Sequence, residues 1–102
     1  MSGFGEDQAA HDEWDKRQAD ALAAQEEYEI FDLAYDAAVF KRTAELVDGG
    51  MQKWRAEGTI KVETITEGTE MHKAFMARRE ANRRMKNLTH LFAVAQNRAW
   101  KR

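Results

Sequence analysis

The densest set of chemically competent side chains lies in "RREANRRMKN", residues 78–87, which holds five basic residues and one acidic residue. Arginine and lysine neutralise phosphate oxygens, and the guanidinium fork of arginine matches a carboxylate equally well. A helix repeats such charges every turn along one face, as contact with a phosphate backbone requires. This stretch therefore predicts a site for nucleic acid or for an acidic protein surface, and a solvated helix face is the plain alternative.

A second candidate cluster is acidic. Glu29, Asp32 and Asp36 recur at helical spacing, and carboxylates one turn apart can hold a metal ion or act as an acid and base pair. A di-metal helical bundle would also need Glu-x-x-His pairs, which the sequence lacks. We therefore interpret these acids as a solvated edge or as ion-pair partners of Arg78 and Arg84.

Other patterns for catalysis or cofactor binding are missing from the sequence. It has no cysteine, its only serine is Ser2, and its three histidines lack the short spacings of metal ligands. Neither a Walker-type nor a dinucleotide-binding glycine loop occurs. We expect a protein that is not an enzyme, with no metal, no cofactor and no small-molecule substrate.

The sequence also carries no signal for export or membrane insertion. A basic start followed by an apolar run is absent, and a stretch of about 18 apolar residues occurs nowhere. The lack of cysteine fits a reducing compartment. The expected location is cytoplasmic, without membrane association.

Charge is distributed unevenly along the chain. Residues 1–70 hold 17 acidic and 7 basic residues, whereas residues 71–102 hold 1 acidic and 9 basic residues. Such asymmetry indicates a polyanion-binding end, or two segments that neutralise each other within one molecule or between copies.

Proline is absent and the few glycines divide the chain into helical segments. Residues 6–48 contain neither breaker and predict one long helix or two nearly continuous ones, ended by a left-handed glycine in "DGG". One straight helix of this length would span roughly 60 Å, so a bend or an oligomer is expected.

Helical periodicity resolves this segment into two apolar stripes. The first comprises Trp14, Ala21, Ala24, Tyr28, Phe31, Tyr35, Ala38, Val39 and Leu46. The second comprises Ile30, Leu33, Ala37, Phe40, Ala44 and Val47. Two apolar faces require two neighbours, so residues 28–47 are expected at the centre of the core. Residues 1–27 are expected to form a peripheral acidic helical arm or to pack on another chain.

The connecting region is predicted to contain the only β-structure. "MQKWRAEG" reads as a short helix or as the first arm of a hairpin, and "TIKVETIT", residues 59–66, predicts a β-strand because it is rich in β-branched residues. An isolated strand is unstable, so it would pair with residues 51–56, with a second copy or with a partner's sheet edge.

Residues 69–101 predict one last helix, with Thr69 as the N-cap and Glu70 in the first turn. One face is apolar and rich in alanine, and Arg78 and Arg84 border it, where their stems can pack on a neighbour. The opposite face carries the residues predicted to bind a polyanion or an acidic partner, which are Arg79, Arg83, Lys86 and His90.

Aromatic side chains supply the second predicted site, an interface with a protein partner. Tryptophan and tyrosine dominate such interfaces, and three tryptophans in 102 residues are many. The predicted interface residues are Trp14, Tyr28, Phe31, Tyr35, Trp54 and Trp100.

These patterns favour a mainly α fold, a helical hairpin or bundle in one domain over residues 1–102, completed by oligomerisation or by a partner. The leading hypothesis is a self-associating interaction protein, comparable in composition to accessory proteins of phages or mobile elements, whose basic face binds nucleic acid or an acidic partner. One alternative is an inhibitor or adaptor of a nucleic-acid-processing enzyme that acts through the acidic, aromatic N-terminal helix. Another is a structural subunit of a larger assembly such as a virion.

Overall fold

Three α-helices form the fold in the computed structural model, which describes the backbone of residues 2–100 and the side chains of residues 8–100. α1 spans Ser2–Asp48, α2 spans Lys53–Thr64 and α3 spans Glu70–Trp100. The predicted mainly α class and the two long helices are confirmed, although residue 101, the predicted end of the last helix, lies outside the described residues. No helix within residues 2–100 has a stretch that is both long enough and apolar enough to cross a bilayer.

The predicted β-strand at residues 59–66 is wrong, because residues 59–64 continue α2 and no strand occurs between residues 2 and 100. Ala56, Ile60 and Thr64 are the buried residues of α2, and their spacing of four is that of a helix. The Thr64 hydroxyl donates to the carbonyl oxygen of Ile60 at 2.8 Å, which satisfies the one buried polar side chain of this face. Tertiary packing therefore outweighs the β-propensity of this segment.

A glycine ends α1 as predicted. Gly50 has a φ of 99°. Its N–H donates to the carbonyl of Val47 at 3.0 Å, and the Met51 N–H donates to the carbonyl of Leu46 at 3.1 Å. These two hydrogen bonds form a Schellman motif, which needs a left-handed residue at the position that Gly50 occupies.

The start of α3 also follows the prediction. The Thr69 hydroxyl oxygen accepts the backbone N–H of His72 at 3.0 Å, so Thr69 is the N-cap, and Glu70 lies in the first turn. The same hydroxyl lies 2.6 Å from the carbonyl oxygen of Glu63, and the imidazole Nδ1 of His72 lies 3.0 Å from that of Thr64. The cap of α3 is thus tied to the last turn of α2.

The chain comprises two compact units, Met1–Tyr28 with Ala81–Arg102 and Glu29–Glu80. In the first unit, small side chains of α1 and α3 are buried, namely Ala21, Ala24, Ala81 and Ala95. In the second unit, Met71 of α3 is 1% exposed, and Ala56, Ile60 and Thr64 of α2 are also buried. The expected single domain and the expected peripheral arm at residues 1–27 stay predictions.

Candidate interaction surfaces

Part of the basic cluster is paired with α1. In the first unit, Arg84 of the cluster donates to Glu27 at 2.7 Å, and Arg98, which lies further along α3, donates to Glu13 at 2.9 Å. The acidic and basic segments of the sequence therefore neutralise each other in part within this unit. Glu27, and not one of the three acids singled out in the sequence, is the partner of Arg84.

In the second unit, Arg78 packs on aromatic rings and pairs with an acid. Its guanidinium carbon lies 4.0 Å from the ring centroid of Tyr35 and 5.8 Å from that of Phe75. Its Nη1 donates to Oδ1 of Asp32 at 3.4 Å. The prediction that Arg78 borders the apolar face and pairs with one of the acids is confirmed, since a guanidinium over a ring face gains cation–π energy in addition to the ion pair.

The other residues of α3 that were predicted to bind a polyanion lie at the surface. Arg83, Lys86 and His90 are exposed in the first unit, and Arg79 is exposed in the second. In the part of the chain that the structure describes, neither Arg79 nor Lys86 has a carboxylate within ion-pair distance, whereas Arg83 does make an interaction within the fold. Two of the predicted polyanion-binding residues thus keep their charge available to a partner.

The aromatic residues predicted to form an interface also fall into two groups, those that pack within a unit and those that are exposed. Trp14 packs against Phe92 with ring centroids 6.2 Å apart, and Tyr35 packs against Phe75 at 6.3 Å, each within its own unit. Tyr28 and Phe31 are half-buried, while Trp54 and Trp100 are exposed. Trp14 and Tyr35 therefore contribute to the packing of the units themselves, and their role towards a partner stays a prediction.

The second apolar stripe of α1 is exposed, which the sequence did not indicate. We call it the outer stripe and define it as Ile30, Leu33, Ala37, Phe40, Ala44 and Val47. The four large side chains, Ile30, Leu33, Phe40 and Val47, are 65%, 68%, 79% and 41% exposed. No residue between 28 and 47 is among the buried residues of the core, so the expectation that this segment lies at the centre of the core is wrong for the described residues. A second neighbour for the stripe stays a prediction.

The outer stripe is exposed because the other helices of the second unit pack on a different side of α1. Tyr35 contacts Thr64 of α2 and Phe75 of α3, and Arg42 pairs with Glu63 of α2. Both neighbours therefore use the first stripe, which leaves the outer stripe uncovered. Exposed apolar faces of this kind are typical of interaction surfaces.

A groove of about 620 Å³ lies in the second unit. Its apolar lining consists of Phe31, Ala34, Ala38, Met71, Ala74 and Ala77. On its rim, Arg42 donates to Glu63 at 2.9 and 3.0 Å and to Glu45 at 3.1 Å. These hydrogen bonds, that with Glu63 first, raise the pKa of Arg42 above its ordinary value. The rim charges thus largely satisfy one another.

The acidic cluster of Glu29, Asp32 and Asp36 does not come together as a group of possible metal ligands. Within the described residues, no group of three or more histidine, cysteine, aspartate or glutamate side chains could hold a metal ion. Asp32 contacts Arg78, and Glu29 and Asp36 are exposed.

Comparison with known proteins adds no identity. No protein-family model matches the chain, and neither a curated protein nor a solved structure matches it.

Proposed function

We propose that this chain is a non-enzymatic helical interaction protein whose exposed basic face on α3 binds a polyanion. One observation carries the proposal. Arg78, Arg84 and Arg98 pair with carboxylates of α1, whereas Arg79 and Lys86 are exposed and have no carboxylate within ion-pair distance among the described residues. The fold therefore pairs one set of cations with carboxylates and leaves Arg79 and Lys86 unpaired among the described residues, which supports a role for them in binding.

Phosphate groups of a nucleic acid and carboxylates of an acidic protein share the chemistry that this face would recognise. A row of cations along a helix contacts a phosphate backbone without reading its sequence, so affinity would be similar for unrelated duplexes and would fall steeply with salt. Arg79, Arg83, Lys86 and His90 are the groups assigned to this contact.

The inhibitor hypothesis receives less support. It would require the carboxylates and aromatic rings of the N-terminal helix to face a partner. Glu13 and Glu27 instead pair with arginines of α3, and Trp14 packs against Phe92. The groups that would imitate a nucleic acid are partly occupied within the first unit.

The test is a binding titration of the full chain against random duplex DNA, single-stranded RNA and polyglutamate, followed by fluorescence anisotropy at several salt concentrations. Tighter binding to the nucleic acids identifies phosphate as the ligand, and tighter binding to polyglutamate identifies an acidic protein. The logarithm of the binding constant should fall with the logarithm of the salt concentration with a slope of about −0.9 per phosphate contacted on duplex DNA.

A charge-matched pair of variants makes the test specific. Arg79→Ala with Lys86→Ala should weaken binding and reduce the salt slope by about 2. Lys53→Ala with Lys61→Ala removes the same charge from exposed positions of α2 and should leave the slope nearly unchanged. An equal loss in both pairs, or no binding to any of the three ligands, would refute the proposal.

A further inference from the structure

The outer stripe has the spacing of a coiled-coil seam. Its six residues follow one another at intervals of three, four, three, four and three, so Ile30, Ala37 and Ala44 take the a positions and Leu33, Phe40 and Val47 take the d positions of a heptad. A sustained 3.5-residue period is the pattern by which one helix packs along another. The stripe therefore fits a helical partner better than a flat or irregular surface.

The charges beside the stripe narrow the choice of partner. The g positions on one flank are Glu29, Asp36 and Thr43, and the e positions on the other are Ala34, Lys41 and Asp48. Thr43 is half-buried and the other five side chains are exposed. Helices that bind anionic lipid carry lysine and arginine beside their apolar face. The acidic flank with Glu29 and Asp36 therefore disfavours a lipid surface as the partner.

We infer that the outer stripe binds the outer stripe of a second copy of this chain, with the two α1 helices parallel and in register. In that arrangement the g position of one helix faces the e position five residues further along the other helix. Asp36 of each copy then meets Lys41 of its partner, and the two-fold symmetry forms this pair twice. An antiparallel arrangement would instead bring Asp36 towards Asp36 and Lys41 towards Lys41.

The side-chain sizes along the seam are compatible with this register. Each layer in a parallel pair contains the same residue twice, so two Phe40 rings meet in one layer and the layers on either side contain only the methyl groups of Ala37 and Ala44. The bulky layer thus has room on both sides, as close packing requires.

The seam stops at each end for a physical reason. On the N-terminal side the next d position is Glu26, which is exposed and would place two carboxylates face to face in a parallel pair. On the C-terminal side α1 ends at Asp48, where the Schellman motif begins to turn the chain. The seam is therefore confined to residues 30–47, about 27 Å of helix.

This surface shares no residue with the basic face of α3, so the inference stands independently of the proposed polyanion binding. Sedimentation equilibrium of the full chain should give about twice the monomer mass of 11.8 kDa, with dissociation on dilution. Phe40→Ala should weaken the dimer on the order of 100-fold, because two phenyl groups leave the interface. Leu33→Asp should yield a monomer with unchanged far-ultraviolet circular dichroism, since Leu33 is 68% exposed in the single chain.

The matched control is Val62→Asp on α2, an apolar side chain that is 61% exposed and lies away from the stripe. It should leave the dimer intact. A wild-type chain that remains monomeric at high micromolar concentration, or a dimer that Val62→Asp disrupts as strongly as Leu33→Asp, would overturn the inference.

Orientation has its own test, because the sequence contains no cysteine and single-cysteine variants give unambiguous crosslinks. In the parallel register Val47→Cys places two thiols in one layer, and mild oxidation should link two copies of this variant. A link that forms only when Val47→Cys is mixed with Ile30→Cys would overturn the parallel register. Asp36→Lys should weaken the dimer by roughly 3- to 10-fold, and adding Lys41→Asp should restore it.

Discussion

Arg78 of α3 lies over the ring of Tyr35 of α1, with its guanidinium carbon 4.0 Å from the ring centroid. The hydroxyl of the same tyrosine lies 3.3 Å from the hydroxyl of Thr64 of α2. Tyr35 therefore contacts both other helices of the second unit. Its aromatic ring contacts α3 and its hydroxyl contacts α2. This junction is where the three helices of the unit are joined by specific contacts in addition to apolar packing.

Arg78→Lys should destabilise the protein by about 0.5–1 kcal/mol, because lysine keeps the charge but lacks the planar group that stacks on Tyr35. Chemical denaturation followed by circular dichroism measures the change. Arg79→Lys, at an exposed neighbouring position, is the control and should have no measurable effect. Equal effects of the two substitutions would show that the stacking contributes nothing.

Gly58→Ala should stabilise the protein by about 0.5–1 kcal/mol, because Gly58 lies inside α2 and alanine is the better helix former. A Cβ at this position would meet nothing within 4 Å. Gly68→Ala is the contrasting variant, since Gly68 has a φ of 93°, and it should destabilise by about 1 kcal/mol. A loss of stability in Gly58→Ala would argue against the helical assignment of this segment.

Trp14→Phe should change the free energy of unfolding by less than about 1 kcal/mol, because two effects oppose each other. The indole Nε1 of Trp14 is buried and has no acceptor among the described residues, so removing it relieves a desolvated donor while some ring contact is lost. Trp14→Ala loses the contacts with Phe92 and Trp100 and should cost about 2–3 kcal/mol. Thermal denaturation of the two variants side by side separates the effects; similar losses in both would mean that the indole N–H is satisfied in solution.

Thr69→Ala should cost about 1 kcal/mol, because it leaves the His72 N–H in the first turn of α3 without its side-chain acceptor. Thr69→Ser retains the hydroxyl and should be close to neutral. Hydrogen exchange of the first amides of α3 gives a local readout, and unchanged exchange in Thr69→Ala would contradict the capping role.

Local signals in the sequence were sufficient to predict the C-terminal end of α1 and the start of α3, whereas α1 begins at Ser2 and not at the predicted residue 6. Gly50 and Thr69 act within one turn of the residues they serve, so their types and positions alone indicate the glycine end of α1 and the cap of α3. The position of Arg78 at the border of an apolar face also follows from helical geometry. These features depend on sequence neighbours and not on the rest of the fold.

Features that depend on distant contacts were not predictable in the same way. Residues 59–64 have the composition of a strand, and burial of Ile60 and Thr64 against the rest of the second unit makes them helical. The outer stripe was recognisable as apolar, but periodicity cannot tell whether a neighbour within the chain covers it. The signal that could have indicated exposure is the charge beside it, at Asp36 and Lys41, in the pattern of a coiled-coil flank.

An α-helix that shows isoleucine, leucine and phenylalanine to water presents the feature by which chaperones and proteases distinguish unfolded chains from folded ones. Covering the outer stripe would hide that feature. The lifetime of each copy in a cell would then depend on whether its stripe is occupied, and copies too dilute to dimerise would be exposed to removal. Abundance would then follow the concentration of the chain through a surface of six side chains.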